Sequence, residues 1–359
     1  MAPLVKEFQK HPNIFETRVC VTAQHREMLD QVLRFFEIIP DYDLDLMRPN
    51  QNLHTLTAAI ITQLKTVFDE YEPDFVYVHG DTTTTMASSL AAFYAGVKVC
   101  HVEAGLRTFD MQSPFPEEMN RSVTGVISNV HFAPTITSMK NLLKENKESN
   151  TILVTGNTVI DALKYSVNKV TSVDFYDSEV AELNSVIDTE KKVILVTGHR
   201  RENHGQGFIN ICDALKQLAI SYPKIQIVYP VHLNPNVKKP VHEMLGDIDN
   251  IKLISPLSYP AFVWLMNKSY MIITDSGGVQ EEAPSLGKPV LVMRNTTERP
   301  EAVEAGTVIL VGTDRQKIIL ESTKLLEDGQ AYSKMSMLHN PYGDGNACKK
   351  IVDYISKIQ

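Results

Sequence analysis

The sequence predicts an α/β protein with two doubly wound domains, each built on a parallel β-sheet, and with a cleft between the two. Its 359 residues exceed what one compact core usually holds and suit two domains of roughly 150 to 200 residues each. Short β-branched runs alternate with longer amphipathic stretches along the chain, which is typical of parallel sheets covered by helices. A polar, acid-rich stretch at residues 166–192 separates two series of such elements and indicates the domain junction.

The first series contains four predicted strands and four predicted helices. The strands are Arg18–Thr22, Phe75–Val78, Val97–Val102 and Ile152–Thr155, and the helices are Met1–Lys10, Met28–Phe36, Leu53–Tyr71 and Thr85–Tyr94. In these helices apolar residues recur at spacings of three and four. No strand precedes the first helix, although a doubly wound domain normally begins with a central strand. We therefore expect the opening strand of the first domain to be missing from this sequence.

The second series repeats the pattern and ends in a helix. Its strands are Val193–Thr197, Ile225–Tyr229, Met271–Thr274, Val290–Val292 and Val308–Val311, and its final helix is Ala347–Ile358. Two Rossmann-like domains are the economical interpretation. We predict an N-terminal domain at residues 1–165, a C-terminal domain at residues 166–345, and a helix at residues 346–359 that packs back on the N-terminal domain.

The composition excludes several classes of protein. Hydrophobic residues make up 43% and charged residues 22% of the chain, which is ordinary for a globular protein and not for a disordered or collagen-like one. The net charge of −8 argues against a general nucleic-acid binder, which needs a concentrated positive face. The four cysteines lack any metal-ligand spacing, so we expect reduced thiols and no metal site. Because no apolar run approaches the ~20 residues that cross a bilayer, we expect a soluble, cytoplasmic protein with no membrane partner.

Acidic side chains follow two neighbouring predicted strands of the first domain. Asp81 follows the second strand and Glu103 follows the third, at the sheet edge where α/β proteins bind ligands. A third carboxylate, Glu117, lies four residues before Arg121 at a predicted helix start. Clustered carboxylates and arginines favour shifted pKa values and acid/base chemistry. The simpler alternatives are a helix N-cap at Asp81 and a surface ion pair between Glu117 and Arg121.

Two loops of the second domain suit a nucleotide diphosphate. The loop after Thr197 contains His199 and two arginines, which supply donors and positive charge for a departing diphosphate. The loop after Thr274 contains three residues that let backbone N–H groups approach phosphate at a helix start: Ser276, Gly277 and Gly278. Glu282, one turn further, suits ribose hydroxyls, whereas a plain glycine turn is the alternative. The pattern predicts nucleotide-sugar chemistry.

Seven segments, in their order along the chain, resemble the non-hydrolysing UDP-N-acetylglucosamine 2-epimerases of bacteria, which have the glycosyltransferase-B architecture. The segments are HGDTTTT, HVEAGLRT, PFPEEMNR, TGHRREN, YPVHLNPNV, DSGGVQEEAPSLGKPVLVMR and TTERPEA, and the resemblance covers essentially the whole chain. It implies an isomerase that interconverts UDP-GlcNAc and UDP-ManNAc for surface polysaccharide synthesis. It also implies a homodimer that requires no cofactor and no metal.

The resemblance also implies roles for individual residues. The acidic catalytic set is Asp81, Glu103 and Glu117, oriented by Arg107 and Arg121, with His199 beside the diphosphate. The substrate-binding residues are Arg107, Phe262 near the uracil, Ser276, Gly277 and Gly278 at the phosphates, Glu282 at the ribose, and Arg299.

Family members bind a second UDP-GlcNAc as an activator, and the matching positions are Gln24, Glu117, Arg200 and His232. Glu27 and Asn50 stand where some relatives have Gln and Arg, which argues against activation in this chain. The family's opening strand, and a loop whose Arg and Lys contact the nucleotide, would precede Met1. Without that strand we expect exposed strand edges and a first domain of reduced stability or activity.

The implied reaction is an elimination followed by re-addition. As UDP leaves C1, cationic character at C1 acidifies the C2 hydrogen, so that a carboxylate can remove it and give 2-acetamidoglucal. Reprotonation from the other face and return of UDP give the epimer. Two alternatives stay open: a hydrolysing epimerase that releases ManNAc and UDP, and a UDP-sugar-binding protein without turnover.

Overall fold

The computed structural model describes residues 1–23, 26–48 and 51–358, and for residues 27 and 28 it describes the backbone alone. The predicted α/β class is confirmed, because all described strand pairs are parallel and helices connect most of the strands. The chain divides into two compact units. The first unit is Met1–Ala162 with Tyr342–Gln359, and the second unit is Leu163–Pro341.

Twelve β-strands occur in the described part of the chain. They are β1 (Cys20–Val21), β2 (Tyr42–Asp43), β3 (Phe75–His79), β4 (Lys98–Val102), β5 (Val130–Ala133), β6 (Ile152–Val154), β7 (Lys192–Thr197), β8 (Ile225–Pro230), β9 (Ile251–Ile254), β10 (Met271–Thr274), β11 (Val290–Val292) and β12 (Val308–Leu310). In the first unit, β1 pairs with β2, and a separate sheet has the order β3-β4-β5-β6. The sheet of the second unit has the order β12-β11-β10-β7-β8-β9, which places β10 and β7 side by side at its centre.

Sixteen α-helices cover these sheets within the described ranges. They are α1 (Ala2–Gln9), α2 (Arg26–Phe35), α3 (Leu53–Tyr71), α4 (Thr83–Tyr94), α5 (Glu117–Ile127), α6 (Ile136–Lys144), α7 (Thr158–Val170), α8 (Ser178–Val186), α9 (Gln206–Ser221), α10 (Pro235–Leu245), α11 (Tyr259–Lys268), α12 (Gly277–Glu282), α13 (Pro300–Glu304), α14 (Arg315–Glu327), α15 (Gly329–Ser336) and α16 (Ala347–Ile355). Short 3₁₀ turns lie at Ser149–Thr151, Arg201–Asn203 and Ala283–Leu286. Among the helices described, none combines the length and the apolar character that spanning a membrane requires.

Polar side chains set the first residues of two helices in the first unit. The side chain of Asn52 accepts a hydrogen bond from the Thr55 amide at 3.0 Å, and the Thr82 hydroxyl accepts one from the Thr85 amide at 3.2 Å. Such caps satisfy N–H groups that have no partner within the helix. Because Thr82 caps α4, Asp81 is not the N-cap that one sequence-based alternative made it.

The buried cores hold the strand ends in place. In the first unit, α3 and α4 pack on one side of the sheet around Ile60 and Ala87, while α1 and α16 pack around Phe132 and Ile351. In the second unit, apolar side chains of α9, α10 and α14 pack on one face of β7, β8 and β10, and residues of the opposite face, such as Leu195 and Ile272, are also buried. Burial on both faces makes the positions at the carboxyl ends of these central strands well defined.

Candidate active site

Asp81 is held by an arginine from α5. Arg121 Nη2 donates to Asp81 Oδ2 at 2.7 Å, and Asn120 Nδ2 donates to the Asp81 carbonyl at 2.9 Å. The Asp81 side chain keeps 27% of its surface exposed, whereas the Arg121 side chain keeps 10%. The arginine therefore stabilises a carboxylate that still reaches solvent.

Glu103 directly follows β4 and adopts an unusual backbone conformation. Its φ is +64°, a region that non-glycine residues rarely occupy and that is often found at functional sites. Glu103 Oε2 lies 3.3 Å from His79 Nε2 and 3.4 Å from Asn157 Nδ2. These contacts hold the Glu103 carboxylate at the carboxyl end of β4, and only 16% of the side chain is exposed.

His79 and Asn157 are site residues that the sequence reasoning missed. Burial lowers the pKa of His79 well below its usual value, so the contact of its imidazole with Glu103 is not an ion pair at neutral pH. The signal available for His79 was its position at the end of a strand, two residues before Asp81. Asn157 had a similar signal, because it follows the predicted strand Ile152–Thr155 by two residues, but its contact with Glu103, 54 residues earlier, depends on the order of strands in the sheet.

The start of α5 differs from the expected pairing of Glu117 with Arg121. The buried Glu118 makes an ion pair with Arg121 Nη1 at 3.3 Å and accepts the backbone N–H groups of Thr108 and Phe109. Glu117 is half-buried at the first position of α5, and its side chain makes no hydrogen bond or ion pair within the described residues. The surface ion pair considered from the sequence does not form, and Glu117 keeps a carboxylate that is available to a ligand.

Arg107 departs from the role that the resemblance implied. Its side chain is 1% exposed and its guanidinium makes a bidentate pair with Glu145, through Nε at 2.6 Å and Nη2 at 2.8 Å. Nη1 donates to the Leu106 carbonyl at 2.7 Å. Because the buried guanidinium is already paired with Glu145, Arg107 does not orient Asp81, Glu103 or Glu117 in this structure.

In the second unit, the loop after β7 is anchored on a buried aspartate. Asp275, which follows β10, is 0% exposed, and its Oδ2 accepts the backbone N–H groups of His199 at 2.9 Å and Arg200 at 2.8 Å. His199 stacks on His232, with ring centroids 5.7 Å apart. The structure thus brings together three predicted residues of this loop region, His199, Arg200 and His232, around an aspartate whose role the sequence did not reveal.

The predicted phosphate loop follows Asp275 and opens α12. Ser276 precedes the helix, and Gly277 is its first residue. A Cβ atom on Gly277 would lie 3.3 Å from the Arg299 guanidinium, which donates to the buried Glu281 at 2.8 Å. A glycine at this position therefore lets a guanidinium lie against the backbone, and Glu281, not predicted as a site residue, holds that guanidinium in place.

Glu282 is the last residue of α12 and is 9% exposed. Burial, with a contribution from the charge of Glu281, raises the pKa of Glu282 to about 8. The carboxyl is therefore largely protonated at pH 7. Phe262, the residue predicted near the uracil, is half-buried on α11.

The remaining predictions concern the activator site and metal binding. Gln24 and Asn50 lie outside the described residues, as does the side chain of Glu27. Within the ranges described, no group of three or more His, Cys, Asp or Glu side chains is arranged to hold a metal ion.

Comparison with known proteins identifies the family. The family model for UDP-N-acetylglucosamine 2-epimerase matches residues 6–356. The UDP-N-acetylglucosamine 2-epimerase of Escherichia coli O157:H7 is 60% identical over 353 residues, which cover 98% of this chain and 94% of that protein. The protein of that name from Campylobacter jejuni is 57% identical, with 99% of this chain and 94% of the relative covered.

Two solved structures are similar over nearly their whole length. The UDP-GlcNAc 2-epimerase from Neisseria meningitidis bound to UDP-GlcNAc is 54% identical, with a TM-score of 0.89 and coverage of 99% of this chain and 96% of that one. The enzyme from Methanocaldococcus jannaschii in complex with UDP-GlcNAc and UDP is 32% identical, with a TM-score of 0.78 and coverage of 99% and 95%. The fold, the loops at its strand ends and these matches together show that the chain belongs to the UDP-N-acetylglucosamine 2-epimerase family.

Proposed function

We propose that this protein interconverts UDP-GlcNAc and UDP-ManNAc by inverting C2, and so supplies ManNAc for surface polysaccharides. The observation that carries the proposal is the pair of oriented carboxylates at the ends of adjacent strands, Asp81 held by Arg121 and Glu103 held by His79. The family membership and the relatives solved with UDP-GlcNAc support the substrate.

The proposed reaction proceeds by elimination. The C1–O bond breaks, and its electron pair goes to the β-phosphate oxygen of UDP. A carboxylate then takes the C2 proton, whose acidity the developing charge at C1 has raised, and a double bond forms between C1 and C2. Proton return to the opposite face of C2 and attack of the same phosphate oxygen on C1 give the epimer.

The first unit supplies the acid and the base in this proposal. Asp81, Glu103 and Glu117 form the acidic set, and Arg121 is the cation that the structure pairs with one of its members. We assign proton removal and proton return to the set as a whole and not to its individual members. His79, with Nε2 at 3.3 Å from Glu103 Oε2, holds this carboxylate in place.

The second unit binds the nucleotide. Backbone N–H groups at Ser276, Gly277 and Gly278 face the phosphates, and Arg299 adds a positive charge. The hydroxyls of the ribose donate to Glu282, Phe262 contacts the uracil, and His199 lies beside the diphosphate. The close approach of the Arg299 guanidinium to Gly277 supports this assignment of the phosphate loop.

The proposal includes a homodimer located in the cytoplasm. Phe93 and Tyr94 at the end of α4 are 61% and 70% exposed, which is the kind of apolar surface that a subunit contact covers. All four cysteines are free thiols, as is usual in a reducing compartment. Light scattering of the purified chain tests the dimer, and a monomeric mass at all concentrations rejects it.

Proton NMR of UDP-GlcNAc in D₂O tests the reaction. We expect the C2 proton to exchange for deuterium and a manno-configured UDP-sugar to appear until a constant ratio is reached. Asp81→Asn should lower kcat by ~100-fold or more, whereas Asp69→Asn, which removes an exposed carboxylate paired with Lys65, should not. Release of free ManNAc and UDP would instead show a hydrolysing enzyme, and an unchanged spectrum with UDP-dependent thermal stabilisation would show binding without turnover.

A further inference from the structure

The carboxylate of Asp275 is buried without a cation that neutralises it. Its side chain is 0% exposed, and no Lys or Arg in the described chain makes an ion pair with it. Oδ2 accepts the His199 and Arg200 amides and also Asn203 Nδ2 at 3.3 Å. A buried carboxylate in this situation is costly unless both of its oxygens find donors.

The second oxygen of Asp275 faces the His199 ring. Oδ1 has no hydrogen bond within the described structure, and His199 Nδ1 lies 3.4 Å from it. This distance is about 0.5 Å longer than a charge-assisted hydrogen bond, as is common for catalytic pairs before a ligand is bound. Within the described part of the chain, the His199 imidazole is the group positioned to donate to Oδ1.

We propose that Asp275 is a positioning residue that acts through His199: its Oδ1 accepts the Nδ1–H and stabilises the imidazolium whose Nε2–H donates to the departing diphosphate. This inference rests on the proposed function, because it needs UDP as the leaving group. The C1–O bond electrons go to the phosphate oxygen, and His199 contributes a hydrogen bond to the new charge. Asp275 therefore has two tasks, since Oδ2 fixes the loop and Oδ1 fixes the ring.

Two other titratable or charged groups near the ring have contacts of their own in the described structure. His232 stacks on His199 and accepts the Asn234 amide through its own Nδ1 at 3.1 Å, so its Nδ1 is not a donor to Asp275. The Arg200 guanidinium lies 3.9 Å from Glu298. In this neighbourhood Asp275 is the carboxylate that contacts His199.

Asp275→Asn separates the two tasks. The Asn oxygen can still accept the His199 and Arg200 amides, but its NH₂ group would face Nδ1 and favour the tautomer with the proton on Nε2. That change destabilises the imidazolium while the loop stays anchored. Asn203→Ser is the complementary variant, because it removes one bond to Oδ2 and leaves the ring pair intact. Asp314→Asn, at the N-cap of α14, is the matched control on the same unit.

Nitrogen-15 NMR of the full chain labelled at histidine provides the first readout. His199 signals are identified by their loss in His199→Gln. In the wild type we expect a proton on Nδ1, and protons on both ring nitrogens when UDP is added. In Asp275→Asn we expect a neutral ring with the proton on Nε2, with or without UDP. A wild-type ring whose proton is on Nε2, or identical spectra for both proteins, overturns the proposal.

Kinetics with UDP-GlcNAc provide the second readout. Asp275→Asn should lower kcat by ~100-fold or more with little change in KM, and should add no further loss in a His199→Gln background. Asn203→Ser should affect thermal stability more than kcat. Additive losses, or equal effects of Asp275→Asn and Asn203→Ser, would show a structural role only. A wild type without turnover refutes the proposed function, while the NMR result still decides the Asp275–His199 pair.

Discussion

The raised pKa of Glu282 makes both the stability of the protein and its binding of UDP depend on pH. Burial, aided by the charge of Glu281, raises this pKa from 4.5 to about 8. The folded protein therefore binds the proton more tightly than the unfolded chain does. The free energy of unfolding should fall as the pH rises from 4.5 through the folded-state pKa, and this contribution should become constant about one pH unit above that pKa.

The magnitude follows from the two pKa values. Between pH 5 and pH 9 the ionisation of Glu282 should cost the folded state ~4 kcal/mol. Glu282→Gln removes this titration, so urea denaturation should show that the stability difference between variant and wild type changes by that amount across the range. Glu304→Gln, at an exposed position of α13, is the control and should leave the pH dependence unchanged. Parallel stability curves for Glu282→Gln and the wild type would refute the reasoning.

Binding of UDP should reverse the protonation of Glu282. Ribose hydroxyls donate most strongly to a carboxylate, so UDP should displace the proton that ~90% of Glu282 side chains carry at pH 7. Titration calorimetry in buffers of different ionisation enthalpy counts the released protons. The wild type should release ~0.9 proton more than Glu282→Gln at pH 7. Equal release by the two proteins would show that the ribose does not meet this group as a carboxylate.

Two further predictions concern residues whose contacts are unambiguous. Gly277→Ala brings a Cβ to 3.3 Å from the Arg299 guanidinium and should weaken UDP binding by ~10-fold. The control Gly329→Ala, with no atom within 4 Å of the new Cβ, should bind UDP as the wild type does. Equal affinities of Gly277→Ala and the wild type by calorimetry would contradict the assignment of the phosphate loop. Glu145→Ala leaves the buried Arg107 without its partner and should lower the free energy of unfolding by ~3 kcal/mol without changing KM. A raised KM at unchanged stability would instead show that Arg107 binds the substrate.

Much of the fold follows from local patterns. The predicted helix Leu53–Tyr71 has the bounds that the structure gives α3, because apolar periodicity and the Asn52 cap agree. The strands β2, β5 and β9 were not predicted, because the local pattern in these short segments does not distinguish a strand from other structure. Helix ends also moved: Ala347–Ile358 was predicted, and α16 ends at Ile355.

The sequence by itself determined the α/β class, the loops at the strand ends and the residue types that those loops carry. Its motifs were sufficient to place Asp81, Glu103 and His199 at the carboxyl ends of parallel strands, because strand direction fixes which end a following loop occupies. Motifs of this kind consist of residues that are adjacent in the sequence, so they can be recognised without knowing how the chain packs.

Only the tertiary structure decided which partner each of these groups has. Arg121 bonds Asp81 from 40 residues away, Arg107 turns to Glu145 across 38 residues, and Asp275 anchors a loop 76 residues earlier in the chain. Such pairs depend on how strands are ordered in a sheet and on which side chains are buried together. Burial then sets the protonation of each group, because the energy of a charge depends on the solvent and donors around it rather than on its neighbours in sequence.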